Sequence, residues 1–391
     1  MCSSDLGLAE ALLRAIGKPR VLGQLYFRDQ AGNVVGKPGE VGAAMLSAKS
    51  LGLIEDLPAD QTPRPRARFA PGAHFWMCYE DNQALRRDWL DNRGCVEVKI
   101  NRFGLREREE IAPDNKAADE RRIVCIGDSF TFGWGVPVEQ CWVRLLEEEI
   151  RKQDGNVRTI NCGASGAIVV DEYAAGLRTR FGAFQPDLVI VTICLNDLIP
   201  SSGLFVMGPS PAPTGFVLWD RIAAATQRSP LDLDPAFPWV DVLLGLSEAD
   251  GTAAGLYGPD KPFAAMWSQN APQKALVEMR DWCSAHRAKL LVCVWPFLQG
   301  LGPGRTYPFA KLHQMLAEFC QKEQIPCLDL QPVLQTYRAE DLWVTPADMH
   351  ANPRAQAAVL PSLRDFVRPH LHRSEEHTSE LQSPCNLVCR L

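Results

Sequence analysis

Beyond Ala118 the chain alternates short apolar runs with stretches whose apolar residues recur at helical spacing. Ile123 to Ile126 is apolar and rich in β-branched residues, the pattern of a strand buried on both faces of a parallel sheet. Trp142, Leu145, Leu146 and Ile150 then fall on one face of a helix. The alternation repeats with a strand over Val157 to Cys162, a helix carrying Tyr173, Leu177 and Phe181, and a strand over Asp187 to Cys194. A long Pro-, Gly- and aromatic-rich stretch interrupts it. It resumes with a helix around Leu276, Met279 and Cys283, and a strand from Leu290 to Trp295. A helix around Leu312, Leu316 and Phe319 leads to a last strand, Ile325 to Leu330. Five strands separated in this way predict an α/β fold: a flavodoxin-like three-layer sandwich around a central five-stranded parallel sheet.

Before Ala118 the pattern is β-rich. Val21 to Phe27 and Asn33 to Gly36 flank a turn at Asp29-Gln30-Ala31-Gly32 and predict a hairpin. Thr62 to Gly72, rich in Pro and Arg, reads as an extended linker. Phe75 to Tyr79 and Cys95 to Ile100 read as strands, and the arginines of this region as a solvated face. Both ends break the periodicity beside them; Arg373 to Leu391 resembles translated adapter sequence and is foreign to the fold. The division expected is therefore a poorly structured start (1–15), a β-rich region (16–117), the α/β domain (118–372) and a disordered tail (373–391). Within the α/β domain an insertion (198–270) carries Phe205, Trp219, Phe237, Trp239 and Trp267 near the mouth of any site. A satellite core is the plainer role for those aromatics, a sugar-stacking or acyl-lining wall the sharper one.

Composition narrows the function classes. With 391 residues, 46% hydrophobic, the chain supports a full core rather than bulk disorder. A net charge of −6 without a basic stripe leaves no footprint for nucleic acid. No apolar run approaches the ~20 residues of a bilayer span, and Met1 to Leu6 lacks the basic start and apolar core of a secretory signal, so a cytoplasmic location is expected. The thirteen cysteines include no C-x-x-C pair, which argues against structural zinc. Their odd number argues against a disulfide framework and for a reducing compartment. No metal and no cofactor is expected.

Chemistry gathers where strands end. The first strand closes on Gly127-Asp128-Ser129 just before a helix, the place where open α/β sheets bind ligands. A helix cap is the commoner role for Asp128 or Ser129. The second strand opens into Asn161-Cys162-Gly163-Ala164-Ser165-Gly166, where the backbone N–H of Gly163 can approach a reacting centre. The third opens into Leu195-Asn196-Asp197, where the Asn196 amide can donate to an oxygen. Such donors answer the negative charge that builds on a carbonyl oxygen under attack by a serine. After the last strand comes Asp348-Met349-His350-Ala351-Asn352-Pro353. Asn352 suits a helix N-cap and Pro353 the first helical position, which puts His350 in a loop on the same rim. Asp348 can accept from one imidazole nitrogen of His350 while the other faces Ser129. A surface histidine and a turn aspartate are the bland alternatives for each residue taken singly. Gly133-Trp134-Gly135 hints at a phosphate turn, but a third glycine at the right offset is missing.

Gly127-Asp128-Ser129, the Gly163 loop, Asn196-Asp197 and Asp348-x-His350 together resemble the four sequence blocks of the SGNH (GDSL-type) hydrolases, over about Arg121 to Val367. The resemblance implies Ser129 as nucleophile, His350 as base, Asp348 as its partner, and an oxyanion hole from Ser129, Gly163 and Asn196. Two departures stand out. Cys194 occupies the place where the third block usually has glycine, and Asp348 lies two residues before the histidine where three is the commoner spacing. The function implied is a serine ester hydrolase working through an acyl-serine intermediate on small acyl esters, O-acetylated carbohydrate among them. An O-acyltransferase using the same Ser–His site, and a catalytically inactive ligand-binding module, remain as alternatives.

Overall fold

The structure, a computed structural model, describes residues 25–35, 48–63, 66–79, 87–164, 168–198, 271–345 and 348–371, without the side chains of Asn196 and Ala271. The 198–270 insertion beyond Leu198 and both termini lie outside the described residues, and with them the expectations for 1–15 and 373–391.

Strand β7 (Arg121–Gly127) is buried at every position after the first, as its unbroken apolar run requires. It pairs in parallel with β8 (Val157–Gly163) on one side and β9 (Leu188–Cys194) on the other. Beyond β9 lie β10 (Lys289–Trp295) and β11 (Cys327–Asp329), also parallel, so the order across the sheet is β8-β7-β9-β10-β11. The chain moves one way from β7 to β8 and the other way through all later crossovers. Right-handed connections therefore put α2 (Trp142–Asp154) on one face, and α3 (Val170–Thr179), α4 (Ala271–Ala285) and α5 (Ala310–Lys322) on the other. The expected three-layer sheet is thus present, and the order reverses between β7 and β9, next to the end of β7.

Two short stretches differ in secondary structure from the sequence expectations. The stretch after β11 is not a bare loop: β12 (Trp343–Thr345) and β13 (Asp348–Ala351) form a small antiparallel hairpin, and His350 lies in β13. Helix α6 (Pro353–Ala358) follows, capped by Asn352, whose side chain accepts from the Ala355 N–H. Likewise the Pro- and Arg-rich stretch is not all linker, because β4 (Ala67–Phe69) pairs with β3 (Ile54–Asp56). Strands this short have too few alternating positions to register as a period-2 pattern.

The remaining N-terminal strands make an antiparallel sheet in the order β2-β1-β5-β6, from β1 (Leu25–Arg28), β2 (Val34–Val35), β5 (His74–Tyr79) and β6 (Cys95–Lys99). The β1–β2 hairpin turns where expected, with Asp29 accepting from the Asn33 N–H and Gly32 at φ +84°. Cys78 of β5 and Cys95 of β6 stand opposite each other and are joined by a disulfide. The sequence argues against a disulfide framework, and this single cross-link is not foreseen by it. The parity of the cysteine count cannot exclude a single bond, and a disulfide removes the ground for expecting a reducing compartment. The expected solvated face holds for Arg93 and Arg102, which are exposed, but not for every arginine of the region. Arg106 is 1% exposed, and Arg66 pairs with Glu172 of α3 at 2.6 Å.

Candidate active site

Asp128 and Ser129 occupy the turn from β7 into α1 (Ser129–Phe132). Asp128 is the N-cap, its carboxylate accepting from the Phe130 N–H at 2.9 Å. The capping reading therefore holds for Asp128, and the cap fixes the turn that presents Ser129. Arg106 clamps the far side of that turn, donating to the carbonyls of Phe132, Gly133 and Val136.

His350 reaches the serine from β13. Its Nε2 lies 2.8 Å from Ser129 Oγ, and its Nδ1 lies 2.5 Å from Asp348 Oδ1. The hairpin makes the two-residue spacing work. Asp348 also accepts from the His350 backbone N–H, so carboxylate and imidazole curl onto the same side. Phe130 and Trp134 flank the imidazole, each with its ring centroid 5.7 Å away.

Two further donors hold Asp348. Tyr79, from the end of β5, donates its hydroxyl to Oδ2 at 2.8 Å, and Trp134 donates its indole N–H to the same oxygen at 3.2 Å. Gly135 makes room for this: it sits at φ +73°, and a Cβ there would collide with the Tyr79 hydroxyl. The Gly133-Trp134-Gly135 turn thus serves the carboxylate. Neither Tyr79 nor Trp134 was singled out for this role from the sequence. A tyrosine at a strand end and a tryptophan between glycines carry no local mark of the partner they meet.

The charges follow from these contacts. Burial alone would raise Asp348, but the His350 charge, its hydrogen bond and the Tyr79 hydroxyl outweigh it and hold the carboxyl below its ordinary value. Burial would lower His350, but the Asp348 carboxylate, helped by Asp128, keeps it above its ordinary value. Asp128 itself is pushed up to about 6 by burial, against the Phe130 N–H that favours its charged form.

The groups expected to form an oxyanion hole are assembled less completely. Gly163 ends β8 beside Gly127 and packs so closely on α1 that a Cβ would overlap the Phe132 backbone. Its N–H, however, already donates to Asn161 Oδ1 at 3.0 Å. Asn196 lies in a 3-10 turn, Leu195–Leu198, directly after β9, on the same rim; its side chain is outside the description. The Ser129 N–H is one of the free donors of a helix start. Among the described residues no cluster of His, Cys, Asp and Glu could hold a metal ion, and no helix is long and apolar enough to cross a membrane.

A family model described as the GDSL-like lipase/acylhydrolase family matches residues 125–358. No curated protein matches the chain. Among solved structures, TesA is 17% identical, covering 64% of this chain and 100% of its own, with a TM-score of 0.38. The lipase/acylhydrolase from Enterococcus faecalis is 14% identical over 64% of this chain and 97% of its own, with a TM-score of 0.38. The acetyl xylan esterase AlAXEase is 13% identical over 63% and 99%, with a TM-score of 0.37.

Proposed function

This chain belongs to the GDSL-like lipase/acylhydrolase family and is an ester-bond hydrolase; on that footing we propose that it works through a covalent acyl-serine at Ser129. The observation that carries the proposal is the unbroken relay from Asp348 Oδ1 to His350 Nδ1 and from His350 Nε2 to Ser129 Oγ, at 2.5 and 2.8 Å. As Ser129 Oγ attacks the ester carbonyl, its proton passes to Nε2. Asp348, accepting from Nδ1–H, fixes the tautomer and stabilises the imidazolium. Collapse of the tetrahedral intermediate returns that proton to the departing alcohol and leaves the acyl group on Ser129. Water, deprotonated by His350, then releases the acid. Gly163, Asn196 and the Ser129 N–H are the proposed donors to the intermediate's oxyanion. Gly163 joins them once its N–H turns from Asn161.

The substrate class proposed is small acyl esters, with O-acetylated carbohydrate as the finer expectation, supported only by the aromatic content of the 198–270 insertion. Replacing Ser129 by Ala should lower turnover of p-nitrophenyl acetate by at least about a thousandfold, with the circular dichroism spectrum unchanged. Labelling by a fluorophosphonate probe should vanish with it. Undiminished turnover in that variant refutes the acyl-serine.

A further inference from the structure

A cavity of about 200 Å³ lies between the β3–β4 hairpin and the α3 side of the sheet. Gly163 and Ala164 form part of its wall, and so does Phe132, three residues after Ser129. Three arginines line it: Arg66, Arg68 and Arg180. Arg66 is answered by Glu172 at 2.6 Å and Arg68 by Glu55 at 2.8 Å. Arg180 is answered by nothing comparable. Its guanidinium rests on the Phe181 ring, 4.5 Å from the centroid, its buried Nε has no acceptor, and no carboxylate among the described residues pairs with it. Burial, and after it the neighbouring Arg68 charge, bring Arg180 down to about 10. A partly buried cation beside a second cation carries a cost that a nearby anion would offset.

We propose that Arg68 and Arg180 form a binding site, beside the Gly163 loop, for the carboxylate or phosphate group of a ligand. The guanidinium fork matches the paired oxygens of either group. The volume is below the ~300 Å³ at which whole-ligand pockets begin, so the cavity takes an acidic group and not an entire molecule. Two sources share this chemistry: an acidic arm of the ester substrate reaching past the Gly163 loop, or a free anion acting on that loop. The site itself stands without the acyl-serine reading; only the first source rests on it.

The test is calorimetric titration of the full chain with inorganic phosphate at low ionic strength. Saturable binding is expected, weakened at least tenfold in Arg180→Met and unchanged in Arg178→Met, whose exposed arginine pairs instead with Glu278 of α4. If Arg180→Met does not fold, Arg180→Lys, which keeps the charge but loses the fork, should still weaken binding severalfold. No saturable binding to the wild type, or equal affinity in the Arg180 variants, overturns the site and leaves a merely hydrated arginine. The two sources are told apart with 4-nitrophenyl hemisuccinate and 4-nitrophenyl butyrate. A rise in KM for the acidic ester alone in Arg180→Met supports the substrate arm. Phosphate binding with both esters equally affected supports the free anion. Phosphate binding by a protein that turns over neither ester keeps the site and counts against the acyl-serine.

Discussion

His350 can act as a base only while its imidazole is neutral, and two opposed effects set when that is. Burial pulls its pKa below the ordinary 6.5, and the Asp348 carboxylate at Nδ1 lifts it above that value. In the wild type, kcat/KM should therefore fall as pH drops through a value above 6.5. In Asp348→Asn the lifting charge is gone while burial stays, so the acid limb should move to lower pH as kcat falls by about 10²–10⁴. A pH–rate profile checks both; an acid limb that stays in place would show that Asp348 does not set the His350 charge. Tyr79 acts one step further out. Its hydroxyl bonds a carboxylate, and such bonds contribute about 1.5–3 kcal/mol. Tyr79→Phe should cut kcat about tenfold, near the low end of that range, with KM little changed; steady-state kinetics beside a melting curve separate this from general destabilisation. Ser129 and His350 were legible in the sequence because local chemistry marks them, a strand end before one and an N-cap after the other. Tyr79 was not, because its contact spans 269 positions and only the folded chain brings the partners together.

At the level of elements, what escaped the sequence was short. The β12–β13 hairpin has three- and four-residue strands, too brief for a periodicity, yet it turns Asp348 and His350 toward one another. The five long strands of the parallel sheet were legible because burial on both faces enforces continuous apolar runs. The β5–β6 pair was legible as strands, but its covalent link was not, since pairing depends on register and not on cysteine parity. That link closes a loop with a sequence separation of 17. Cross-links of this span restrict the unfolded chain by about 3 kcal/mol. Reduction, or the double change Cys78→Ala with Cys95→Ala, should lower unfolding stability by about that amount, read as a shifted denaturant midpoint with an unchanged slope. Because Tyr79 directly follows Cys78, the same variant should lose activity at temperatures where the sheet domain stays folded. Full activity there would uncouple β5 from the carboxylate.

For the molecule as a whole, the sequence draws a boundary near residue 117 that the packing does not respect. Phe27, Phe69, Phe75 and Met77 of the β-rich region share one apolar cluster with Phe132, Trp134 and Val136 of the serine turn and Val344 of β12. Phe69 stacks on Phe132 with centroids 5.5 Å apart, and Phe27 meets Trp134 edge-on at 6.2 Å. Just ahead of β7, Arg106 clamps the serine turn, while Glu107 accepts from the Asn161 N–H and faces Arg144 of α2. The family match begins at residue 125, so these contacts reach the serine turn and β8 from outside it. Composition cannot show this, because a strand that buries its apolar face against a neighbouring domain has the same pattern as one that buries it in its own sheet. A shortened chain of residues 118–372 would uncover Phe132, Trp134, Val136 and Val344 and deprive Asp348 of Tyr79. It should aggregate, or fold with kcat reduced at least a hundredfold, a loss of about 2.7 kcal/mol in transition-state stabilisation. Size-exclusion chromatography and turnover of p-nitrophenyl acetate by the monomeric fraction decide the matter. A monomer with full kcat would make the β-rich region a mere neighbour of the active site and not part of its construction.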